Sequence, residues 1–80
     1  MASIPAEWLV ERLTLEVIEA KLRHHIHHVN WNRLKRLAQP GDEYWFFRSP
    51  PQTWPAKVGA AGYALVRNGM PIAVFTLMRS

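Results

Sequence analysis

Asn68-Gly69 lies between two apolar runs, Tyr63-Ala64-Leu65-Val66-Arg67 and Met70-Pro71-Ile72-Ala73-Val74-Phe75-Thr76-Leu77-Met78. Both residues of such a two-residue turn need positive φ, which asparagine and glycine tolerate, so the pattern predicts a β-hairpin over 63–78. The turn sets the register, placing Arg67 opposite Met70, Val66 opposite Pro71 and Leu65 opposite Ile72. Pro71 has no N–H to give a neighbour, so its strand belongs at a sheet edge, and any third strand joins beside 63–67. In this register Tyr63, Leu65, Ile72 and Val74 line one face, and Ala64, Val66, Phe75 and Leu77 the other. A sheet with two apolar faces needs cover on both.

The third strand is Glu43-Tyr44-Trp45-Phe46-Phe47-Arg48, aromatic-rich and bounded by Pro40-Gly41-Asp42 before it and Ser49-Pro50-Pro51 after it. Ser49-Pro50-Pro51-Gln52 reads as a short helix start, with Ser49 as cap and Gln52 closing a capping box. Trp54 then faces the core, Pro55 keeps the helix short, and Gly59 and Gly62 bracket its exit.

Residues 5–38 read as helix, capped by Ser3, with Pro5 in the first turn and Glu7 and Glu11 at the positive end of the dipole. Arg33, Lys35 and Arg36 precede the stop at Gln39-Pro40-Gly41. At about 100° per residue the apolar stripe jumps. Leu9, Leu13, Val17 and Ala20 line one face, whereas Leu15, Ile18, Leu22, Ile26 and Val29 line another. A break is therefore expected near Asn30, and Thr14 is a second candidate cap. The reading is one α+β domain over 1–80: N-terminal helices, then strand, short helix and β-hairpin in a small three-stranded sheet. The helices cover one sheet face; the short helix or a second copy covers the other.

Eighty residues bury only about 60% of their unfolded surface, but 49% hydrophobic residues and four tryptophans supply a core. With no cysteine there are no disulfides and no thiol chemistry, which fits a reducing, cytoplasmic setting. No signal peptide is evident at the N-terminus. No apolar run approaches the roughly 20 residues of a spanning helix, so a soluble protein away from membranes is expected.

Gly41-Asp42-Glu43-Tyr44-Trp45-Phe46-Phe47-Arg48-Ser49-Pro50 and Gly62-Tyr63-Ala64-Leu65-Val66-Arg67-Asn68-Gly69 resemble segments of short, uncharacterised bacterial or phage-type proteins. The resemblance spans the C-terminal half and implies fold only, with no activity attached.

Charge is segregated. The chain carries +4 overall, and no acid falls between Ala20 and Gly41, where Lys21, Arg23, Arg33, Lys35, Arg36 and all four histidines lie. Such asymmetry points to an anionic partner. On a helix, His24, His27 and His28 share a sector with Lys21 and Lys35, away from Leu22, Ile26 and Val29. An i,i+4 pair such as His24 and His28 has metal-ligand spacing, but cations surround it, and a solvated polar face or a pH-tunable positive patch explains it as well. Asn30, Trp31 and Asn32 amid these cations are what a nucleic-acid surface uses, although Trp31 is also in register with Leu34 as core. Arg48 and Arg67 on adjacent strands are anion candidates or solvated strand ends.

No Ser/His/Asp set, paired carboxylates or phosphate-cradling loop can be assembled, so no catalytic residue, metal or cofactor is expected. The reading is a non-enzymatic binding or regulatory domain with a protein partner, a second copy in a homodimer being one candidate. The alternative is nucleic-acid binding through the basic stretch 21–36. Candidate binding residues are Lys21, His24, His27, His28, Arg33, Lys35 and Arg36. An exposed Trp31 would favour nucleic acid; a bare apolar surface would favour protein.

Overall fold

The computed structural model describes residues 4–57 and 59–79. β3 (Ala60–Arg67) and β4 (Met70–Arg79) form the hairpin, with Asn68 at φ 53° and Gly69 at φ 78° in the turn. β2 (Glu43–Arg48) pairs antiparallel with the other side of β3, and β4 is an edge, as Pro71 demands. The sheet has a fourth strand, β1 (Leu9–Leu13), on the free side of β2. Two helices, α1 (Leu15–Leu22) and α2 (Val29–Leu37), follow β1, so the order β1-β2-β3-β4 is antiparallel with a helical insertion after the first strand. The α+β class stands, with four strands in place of three.

β1 replaces the start of the expected helix. Only a 3₁₀ turn, Ala6–Trp8, precedes it, and Ser3 lies outside the described residues. Leu9 opposes Phe47, but Glu11 opposes Phe46, so an extra residue bulges at Val10. The bulge puts Leu9 and Leu13 in clusters on opposite sheet faces, although they are four positions apart, an even interval that a regular strand keeps on one face. The strand exists because β2 would otherwise be an open aromatic edge, and pairing overrides local helical preference.

Thr14 caps α1, its Oγ1 accepting from Val17 N at 3.2 Å. Arg23 at φ 53° ends that helix, and a 3₁₀ segment, Arg23–His27, carries the chain to α2. The break near Asn30 is real, but the cap is His28, whose Nδ1 accepts from Asn30 N at 3.1 Å.

The helices cover the face of β3 that carries Tyr63 and Leu65. Ile18, Leu22, Trp31, Leu34 and Phe75 are buried with them. Val29, expected in that stripe, is 60% exposed, because the chain rewinds between the two helices. Two bulges in β4 also change the expected hairpin faces. Leu65 opposes Ala73 rather than Ile72, so Phe75 joins the helix-covered cluster and Val74 the opposite one. The second bulge lies at Leu77, between Thr76 opposite Gly62 and Met78 opposite Ala61. The Phe75 carbonyl there presses on Gly62, and a Cβ would also meet Thr76 Cα at 2.9 Å.

The second face is covered by the chain itself. Phe47, Ala64 and Val66 are buried under Ile4, Trp8, Leu9 and Trp45, with Ala60 and Val74 at the margin. Small residues on β3 leave room for the flanking indoles. A second copy is not needed to cover this face.

The expected short helix is a 3₁₀ turn, Pro51–Thr53, with no side-chain cap. Two prolines in a row leave too few N–H groups for more. The Ser49 hydroxyl instead bonds Thr53 Oγ1 at 2.7 Å and accepts from Ala60 N at 2.9 Å, closing the loop between β2 and β3. Gly62 is inside β3 rather than at a helix exit. Trp54 is only half-buried, its ring stacked by Arg48 at 5.5 Å. Among the described residues no helix is long and apolar enough to cross a membrane.

Candidate functional site

The basic stretch divides into three parts. Lys21 ends α1, His24 and His27 lie on the 3₁₀ segment, and Arg33 and Arg36 project from α2; all are exposed. His28 is also exposed but serves as a cap and sets its ring edge-on to Phe75 at 5.3 Å. Lys35 is spoken for: its Nζ lies 2.7 Å from Glu19 Oε2, the same oxygen that accepts from Trp31 Nε1 at 3.0 Å. Hydrogen bonds from Lys35 and then Trp31 hold the Glu19 carboxyl below its usual range. Lys35 therefore ties α2 to α1 and leaves the candidate surface. Trp31 is fully buried, against Phe75, Tyr44 and Tyr63 at 5.8, 6.1 and 6.2 Å. The stretch has no exposed aromatic platform among its described side chains.

Arg67 is likewise paired, with Asp42, whereas Arg48 is exposed and lies over the Trp54 ring. Among the described residues no three His, Cys, Asp or Glu side chains gather as a metal site would need.

What the structure brings together is a groove of about 510 Å³ between α2 and β4. Its α2 wall carries His28, Asn30, Arg33, Leu34 and Leu37; its β4 wall runs from Ala73 to Leu77, with Arg79 at the end. Leu37 and Leu77 are 51% and 40% exposed, an apolar lining open to solvent. No acid lines it, and Arg33 and Arg79 have no acidic partner among the described residues. Two of the sequence candidates, His28 and Arg33, belong to this groove. The β4 wall and Leu37 were missed, and the one signal for them was Pro71, which marks an edge strand.

The groove has a polarity. His28 at the start of α2 touches Phe75, while the Leu37 carbonyl at its end accepts from Arg67, the residue opposite Met70. α2 thus runs antiparallel to β4, with Arg33 midway along the α2 wall and Arg79 where β4 ends. The opposite end is apolar. No protein-family model, curated protein or solved structure matches the chain.

Proposed function

We propose that the chain is a non-enzymatic binding module that engages a protein partner through the groove between α2 and β4. The observation that carries this reading is the groove's makeup: exposed apolar side chains, two unpaired arginines, and one wall that is an edge strand. Exposed apolar surface rimmed by charge is how protein interfaces present themselves. Two described groups that could do chemistry have structural partners. The buried Ser49 hydroxyl is committed to Thr53 and Ala60, and the sole aspartate, Asp42, to Arg67. Burial of Trp31 takes the aromatic out of the surface that the nucleic-acid alternative would use, which leaves that alternative its exposed cations alone.

A photo-crosslinking residue at Leu77, with Val17 on the outer face of α1 as control, tests the reading in cells. The expected result is a protein adduct from position 77 alone. The adducted protein, purified, should then form a complex with wild type that Leu37→Glu breaks. Nuclease-sensitive adducts would favour the nucleic-acid reading, adducts between copies would identify a homodimer, and adducts equal at both positions would overturn the groove.

A further inference from the structure

We infer that the groove's occupant is an extended segment of the partner, acidic at one end, that adds a fifth strand to β4; this deepens the proposed binding function and rests on it. The backbone makes the first argument. β4 pairs with β3 on one side only, and among the described residues no other backbone bond reaches it. The free edge of such a strand presents N–H and C=O groups, and residues 73–77 of β4 line the groove. An extended chain satisfies such groups, whereas a helix keeps its own backbone bonds inside.

The bulges at Ile72 and Leu77 bound a regular stretch, 73–76, between them. A bulge kinks and twists its strand, which blunts long sheet-to-sheet pairing and leaves room for a short segment. A second copy of this chain fits poorly for another reason. Neither parallel nor antiparallel pairing of two β4 edges would bring an acid to Arg33 and Arg79, because no acid lines the groove, and each copy carries +4.

Charge and polarity then specify the segment. With Arg79 at one end, Arg33 midway and Leu37 with Ala73 at the other end, the complementary chain has acidic side chains from one end toward its middle and an apolar one at the other end. Alternate side chains of a strand point to one face, so every second residue enters the groove beside Leu34 and Phe75.

The test uses a displayed library of random octapeptides against the full chain, read by sequencing the bound pool and by titrating the best peptide. Wild type should enrich peptides with clustered Asp or Glu followed by alternating apolar residues. The double variant Arg33→Glu, Arg79→Glu should lose roughly tenfold or more in affinity for them while its melting curve stays at wild type. Raising salt should weaken wild-type binding. Two versions of the best peptide, N-methylated at odd or at even positions, separate strand addition from simple charge attraction. One version should bind as before and the other not at all, because only alternate amides of an added strand face β4. Equal binding of both, or enrichment without acidic residues, overturns the inference. If a purified partner still needs the groove while no acidic peptide binds, the inference falls and the proposed function stands. If neither binds there, both fall.

Discussion

The Arg67 guanidinium grips Asp42 at both carboxylate oxygens, Nε donating to Oδ1 at 2.9 Å and Nη2 to Oδ2 at 2.8 Å. Asp42 also accepts from Gln39 N at 2.9 Å, and Arg67 Nη2 reaches the Leu37 carbonyl at 3.2 Å. One ion pair thus joins the end of α2, the turn through Gly41 (φ 91°) and the end of β3. The Leu37 carbonyl is among the last of α2, which have no partner within the helix.

The first prediction follows from that pair. The hydrogen bonds from Arg67, and then from Gln39, hold the Asp42 carboxyl at about 2, below its ordinary 3.8. A carboxyl depressed by folding stabilises the fold above its unfolded value and loses that contribution as pH falls through its folded one. Thermal stability should therefore decline between about pH 4 and pH 2. Carboxyl titration by NMR should place Asp42 near the bottom of that window. Arg67→Leu should return the Asp42 midpoint to the ordinary carboxylate range and flatten this part of the stability curve.

The second concerns Glu19, which holds the buried indole of Trp31 and the ammonium of Lys35 on one oxygen. Glu19→Ala leaves the Trp31 N–H without its acceptor, at a cost of about 1–3 kcal/mol in denaturant unfolding. Glu19→Gln keeps an acceptor and should cost less. Lys35→Glu sets two carboxylates together and should lower the melting temperature, whereas Arg36→Glu, one residue on and exposed, should shift stability by less than about 0.5 kcal/mol. Equal effects at 35 and 36 would contradict this arrangement.

The third separates two glycines. Gly62→Ala drives a methyl into the Phe75 carbonyl, where β4 bulges, and backbone cannot step aside as a side chain can. Overpacking of this kind costs about 1–3 kcal/mol or more. Gly69→Ala has open space but must hold φ 78°, so its penalty is conformational, about 1–2 kcal/mol. Unfolding curves should show both variants destabilised. Only Gly62→Ala should also disturb amide shifts of Phe75–Leu77.

Much of the β-structure was legible because its signals are local. Asn68-Gly69 carries its own φ requirement, Pro71 its missing N–H, and the aromatic run 43–48 its bounding prolines and glycine. β1 was not legible, because a bulge at Val10 removes strict alternation and leaves Leu9 and Leu13 at a helical interval. The same device in β4 exchanged the faces of Val74 and Phe75. A bulge is decided by how two strands meet, which one strand's residues do not reveal. The groove is hidden for a related reason. Arg33 and Arg79 lie far apart in sequence and become neighbours of one cleft only when α2 docks antiparallel to β4.

The last prediction tests the docking of the helices, on which the groove depends. A single continuous helix would align Ile18, Leu22, Ile26 and Val29 along one buried stripe. In the structure the rod is broken at Arg23, and α2 turns a new face, Trp31 and Leu34, toward the sheet. Ile18 is then fully buried, while Val29 is 60% exposed. Ile18→Ala removes a packed side chain and should cost about 2–5 kcal/mol in equilibrium unfolding. Val29→Ala removes one that water already reaches, and its cost should stay within about 0.5 kcal/mol. The pair discriminates sharply, because both residues are aliphatic and both sit on helices. Comparable losses at 18 and 29 would mean that Val29 is buried. α2 would then present another face to β4, Arg33, one turn on from Val29 along the same stripe, would be drawn against the sheet with it, and the groove would lose its solvent-facing cationic lining.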